Sequence, residues 1–258
     1  MQVLNRGSID LLLVPSGLVI MFIYHLFLLY RILRHPRTTV VGYENHNKLA
    51  WVERMLQPQA TPDETSLALT VISGSMSASS NLASLSIALS SLIGTWVGST
   101  SKVFLTAVIY GDTSPSTSSV KYISLLVCFL VAFTCFIHSA RYFVHASYLI
   151  STLHSDVPVA YVQREIIRGG NFWSAGLRAL YFATVLLMWI FGPIPMFLCS
   201  VFMVVILHFL DTNSVPLHEH PFRRPPLAKG MRGMPPERRV AAFADNPVIY
   251  ASTALFNC

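Results

Sequence analysis

The chain has 258 residues, of which 53% are hydrophobic and only 12% charged, with a formal net charge of +6. A soluble globular protein carries about 25% charged residues, and here the apolar residues gather in runs too long for a soluble core. The basic residues sit in the connections and the C-terminal tail, a pattern suited to anionic lipid headgroups and not to nucleic acid.

Crossing a hydrocarbon core of roughly 30 Å takes about 20 apolar residues in a helix. Leu11–Tyr30 meets this with His25 as its single ionisable group, predicting a first membrane helix near 9–33. The run is longer than the core of a cleaved secretory signal. It leads into Tyr30-Arg31-Ile32-Leu33-Arg34 with no small-x-small site, so it reads as an uncleaved anchor. Next, Leu49, Val52, Met55 and Leu56 recur at helical spacing beside Trp51, with charges opposite. They predict a short amphipathic helix at 44–57, either lying at the membrane interface or packed on its own bundle. The second run, Leu67–Ser101, is serine-rich and uncharged, and the third, Tyr122–Ala140, is uncharged apart from His138. Membrane helices are expected near 67–95 and 122–150.

The fourth run, Ala179–Leu210, would make a helix of about 48 Å at 1.5 Å per residue, and Gly192-Pro193-Ile194-Pro195 lies at its centre. Either one kinked helix protrudes, or two helices near 176–191 and 195–210 form a hairpin. Cytoplasmic connections are enriched in Lys and Arg, which favours the hairpin. With five helices and the N-terminus outside, the cytosolic side receives five basic residues from the first loop, three from the third (Arg164, Arg168, Arg178) and six from the tail. Only Arg6, Lys102 and Lys121 then lie outside. With four helices this bias disappears. The expected fold is therefore all-α, a polytopic transmembrane bundle of about five membrane helices over residues 1–211. The N-terminus is placed outside, with the first loop and the tail cytosolic. Residues 212–258 form a proline-rich basic tail whose composition predicts disorder.

The polar residues of the runs follow two patterns. Thr70, Gly74, Ser77, Asn81, Ser84, Ala88 and Ser91 recur at spacings of four and three, which aligns them on one helix face. All are small or polar, so this face reads as a helix-packing seam in which Asn81 finds an interhelical partner. Thr134, His138, Arg141, His145 and Tyr148 make a second stripe. Ionisable residues within spans mark functional sites by default, and His25, Asn81, His138, Arg141 and His145 form the candidate intramembrane polar site. Against this, Arg141 lies near a span end, where it can snorkel to headgroups. His138 and His145 are also about 10.5 Å apart along the axis, too far to share a metal. His208 and Asp211, three residues apart, read as an interface pair. No metal centre, cofactor or catalytic residue is assigned. Cys128, Cys135 and Cys199 sit in apolar runs, and no phosphate-binding loop, zinc-protease or serine-hydrolase motif is present.

Five stretches stand out: Tyr24-His25-Leu26-Phe27-Leu28-Leu29-Tyr30, His35-Pro36-Arg37-Thr38-Thr39-Val40-Val41-Gly42, Trp51-Val52-Glu53-Arg54-Met55, His138-Ser139-Ala140-Arg141-Tyr142 and Gly176-Leu177-Arg178-Ala179-Leu180-Tyr181-Phe182. Together they resemble a plant and bacterial family of multi-pass membrane proteins catalogued as domain of unknown function 599. The resemblance covers roughly 8–211 and is closer to the plant branch. It implies membrane residence and a shared architecture but no activity. The leading expectation is a non-enzymatic scaffold or accessory subunit. Its partners are the lipid bilayer and, through the small-residue face, a membrane protein or a second copy of the chain. A small transporter or channel with a polar path is the alternative, and a membrane enzyme using histidine acid–base chemistry is the third reading.

Overall fold

A computed structural model describes residues 6–56, 61–98, 115–152 and 159–213. The tail beyond 213, with its expected disorder, lies outside the described residues. The chain forms α1 (Arg6–Arg34), a 3-10 turn (Pro36–Thr38), α2 (Val40–Met55), α3 (Pro62–Gly98), α4 (Pro115–Ser151), α5 (Val159–Trp189) and α6 (Pro193–Asp211). Among the described residues there is no strand, only an isolated bridge between Thr39 and Thr212.

Five helices, all except α2, are long and apolar enough to cross a membrane. The fourth apolar run is therefore two helices. They part at Gly192, whose φ of 144° is closed to L side chains. Pro193 then opens α6, at a position where a missing N–H costs no helix hydrogen bond.

The helices begin earlier than the apolar runs do. α3 starts at Pro62, where Thr61 and Glu64 form a reciprocal capping box: Glu64 N–H donates to Thr61 Oγ1 at 3.3 Å, and Thr61 N–H donates to Glu64 Oε2 at 2.9 Å. α5 starts at Val159 rather than near 176, so Arg164, Arg168 and Arg178 are helical and not in a loop. At 37 residues each, α3 and α4 are about 55 Å long, well beyond one hydrocarbon core.

The layer order is α3, α4, α5, α6, α1, each packing on the next, with α2 laid on α5. Small residues set the approach of α4 to α5. A Cβ at Gly176 would stand 2.7 Å from the Phe136 ring, so only glycine lets these helices meet so closely there. Ser139 on α4 ties three helices together: its hydroxyl donates to the Gly169 carbonyl of α5 at 2.8 Å and lies 3.0 Å from the Ser79 hydroxyl of α3. On α3 the buried stripe is Ala68, Ile72, Ser79, Ala83, Ser86, Ser90 and Ile93.

α6, with 19 residues, is about 28 Å long and close to one hydrocarbon core, whereas α3, α4 and α5 overhang its C-terminal end. There a second apolar cluster joins Val52 of α2 to Ile72, Phe143, Ala146, Ile150, Val162 and Ile166. α2 is thus docked on the bundle. Asn45 Nδ2 donates to Asn171 Oδ1 at 3.2 Å and Gln163 Nε2 to the Leu49 carbonyl at 3.1 Å.

Candidate functional site

At the overhanging end, three helices converge on one carboxylate. Asp211 closes α6 and is buried. Arg178 of α5 grips it with both terminal nitrogens, Nη1 donating to Oδ2 at 2.7 Å and Nη2 to Oδ1. Tyr24 of α1 donates its hydroxyl to Oδ2 at 2.7 Å. Arg31, two turns further along α1, donates to the Thr38 carbonyl at 3.0 Å and the Thr212 hydroxyl at 3.4 Å. The Asn213 N–H donates to the Thr38 carbonyl at 3.1 Å, so the exit of α6 is fastened to the turn between α1 and α2. His25 packs its ring on Phe182 of α5, 4.8 Å between centroids. Its Nδ1 lies 2.7 Å from the Met21 carbonyl; a carbonyl only accepts, so Nδ1 holds the proton. His25 Nε2 is buried with no hydrogen-bond partner among the described residues.

The opposite end is held by Trp189. Its Nε1 donates to Asp10 Oδ1 at 3.4 Å, and the Lys121 ammonium lies 5.4 Å from its ring centroid. Asp10 is buried, and so is Lys121, which the charge count set on the outer side.

On the outward side of the α4–α5 pair, Phe172 carries two rings: Tyr142 stacks on it at 5.5 Å and His138 tilts against it at 5.3 Å. The Arg168 guanidinium lies 5.9 Å from the Tyr142 ring centroid, and His145 Nδ1 pairs with Glu165 Oε2 at 3.1 Å. Arg141 and Tyr148 point outward from the same face of α4.

The five residues of the candidate polar site are therefore dispersed. His25 meets α5 at Phe182 and His138 meets it at Phe172, about 15 Å apart along the axis. Asn81 is exposed on the far side of α3 and has no hydrogen-bond partner among the described residues. Its whole stripe of Thr70, Gly74, Ser77, Ser84, Ala88 and Ser91 is exposed too, and a Cβ at Gly74 would meet nothing within 4 Å. α3 carries small residues on two opposite faces, and the one built around Ser79, Ala83 and Ser86 is turned inward. The expected pair of His208 with Asp211 does not form, because Asp211 turns to Arg178 and Tyr24. The Arg178–Asp211 partnership escaped the sequence reading; its only signal was two opposite charges at the ends of apolar runs. Among the described residues no three His, Cys, Asp or Glu side chains gather as a metal site would require.

Comparison with curated proteins and with solved structures returned no match. The sequence profile of one family, described as Protein of unknown function, DUF599, matches residues 12–216. A profile running from α1 past the end of α6 covers most of the chain, and the protein belongs to this family.

Proposed function

We propose that the protein is a non-enzymatic scaffold or accessory subunit of the membrane, with the outer face of α3 as its docking surface. One observation carries this reading. α3 is the end helix of the layer, and its outward face is the small, polar stripe centred on the unpartnered Asn81. In hydrocarbon a carboxamide without a partner is costly, and a small-residue stripe lets another helix approach closely enough to supply one. A second copy of the chain fits best, because a two-fold axis would set Asn81 against Asn81 on a self-complementary surface.

Energy transfer between differently labelled full-length copies in liposomes, followed as lipid dilutes them, tests this. Wild type should retain transfer on dilution, and Asn81→Leu or Gly74→Leu should lose it while keeping the same thermal midpoint. Loss of transfer on dilution by wild type, at the rate of a monomer, would refute it. So would solute movement by the purified, reconstituted protein alone. A transport path through His25, Asn81, His138 and Arg141 has no support in a chain that spreads these residues over both ends of the layer. We further place the overhanging end in the cytosol and the N-terminus outside. Arg31, Arg34, Arg37, Lys48, Arg54, Arg164 and Arg168 all gather at that end, in accord with the positive-inside bias. Cysteine labelling of intact cells at Arg37→Cys, blocked by the membrane in this orientation, checks it.

A further inference from the structure

We infer that the outward face of the α4–α5 pair binds the phosphate-bearing headgroup of an anionic phospholipid. This goes beyond the scaffold reading and uses a different surface. Along one face of α4, Ile123, Val127, Leu130 and Ile137 are exposed, and the same face then turns to Arg141, His145 and Tyr148. An outward helix face that changes from aliphatic to cationic and aromatic crosses from hydrocarbon into the headgroup layer at that point.

The neighbouring surface of α5 brings Arg164 and Arg168, one turn apart, and the exposed Tyr161. The nearby carboxylate, Glu165, is taken up by His145. Arg141 and Arg164 have no ion-pair or hydrogen-bond partner among the described residues, and the contact found for Arg168 is the Tyr142 ring. That ring is itself stacked on Phe172, which also supports His138. The platform holds the Arg168 guanidinium in place before a ligand arrives, so little side-chain freedom is lost on binding. Guanidinium forks match phosphate oxygens in pairs. Three such groups at headgroup depth, beside exposed tyrosines, are complementary to an anionic lipid and not to a zwitterionic one. An acidic peptide would satisfy the charges, but not the continuity with the lipid-facing aliphatic strip above them.

Native mass spectrometry of the full-length protein in detergent, with phosphatidic acid and phosphatidylcholine added in equal amounts, reads this directly. Wild type should keep phosphatidic acid adducts under conditions that strip phosphatidylcholine. Arg141→Gln with Arg168→Gln should weaken phosphatidic acid binding about twenty-five-fold, fivefold for each charge near the surface. Arg34→Gln with Arg37→Gln, which removes two exposed charges from the same end of the molecule, should leave it unchanged. If the first pair does not fold, Arg141→Gln with Arg164→Gln, both on exposed residues, carries the same expectation. Equal losses in the two double variants, or equal retention of both lipids by wild type, would overturn the site. Displacement of phosphatidic acid by equimolar inorganic phosphate would reassign it to a soluble anion, and so overturn the lipid assignment.

Discussion

Replacing Asp211 with Asn should unfold the basic end of the bundle disproportionately to the size of the change. The Arg178 side chain is 19% exposed and that of Asp211 8%. The carboxylate receives two guanidinium nitrogens and the Tyr24 hydroxyl. An amide keeps one acceptor oxygen but removes the charge, leaving a guanidinium buried against α6 without a counterion. Breaking such a pair costs about 3–5 kcal/mol, whereas replacing both partners with apolar residues of similar volume is often neutral. Arg178→Met alone, which strands the carboxylate, should cost a similar amount. The double variant Arg178→Met, Asp211→Leu should cost about 1–3 kcal/mol, mostly from the orphaned Tyr24 hydroxyl. That is less than either single change and far below their sum. Unfolding of the full-length protein in mixed micelles, monitored by helical circular dichroism, measures all three. Single-variant costs that add within about 0.5 kcal/mol would show that the two residues do not act as a unit, and the account of this knot would be wrong.

Gly176→Ala places a methyl 2.7 Å from the Phe136 ring, which is already packed edge-on against Trp173 at 5.5 Å. It should cost about 1–3 kcal/mol, largely recovered by adding Phe136→Leu, as read by thermal melting in detergent. Gly192→Ala must hold φ near 144° and should cost about 1–3 kcal/mol; a melt unchanged from wild type would mean the hairpin can turn another way. Ser139→Ala loses the hydroxyl link between α3, α4 and α5 and should cost about 1 kcal/mol, read in the same melts. Glu165→Gln removes the carboxylate beside Arg164 and Arg168 and should raise retention of phosphatidic acid over phosphatidylcholine in native spectra.

Membrane residence and the five-helix count were legible because hydrocarbon leaves its mark on composition, and because Gly192-Pro193 interrupts a run too long for one crossing. Helix ends were less legible. The first turns of α3 and α5 carry Asp63, Glu64, Gln163 and Arg164, and an apolar threshold stops short of them. Yet Thr61-Pro62-Asp63-Glu64 announces a helix start to a reader looking for caps. The direction of α3 could not be read from spacing, since both its stripes recur at four and three. Which one faces α4 depends on Ser139, Ala132 and Phe136, residues of another helix. Local spacing paired Asp211 with His208, three residues away, whereas Arg178 stands 33 residues away in sequence and is brought close only by the packing of α5 on α6.

The adjacency of α1 and α6 bears on the order of events during synthesis. Of the helices described, α1 is made before the rest, yet α6, which covers it and supplies the acceptor for Tyr24, is made after them. Until then Arg178 has no counter-charge, and the nascent bundle stays open along one side. Chains that stop short of Asp211 should therefore be the ones a quality-control protease removes.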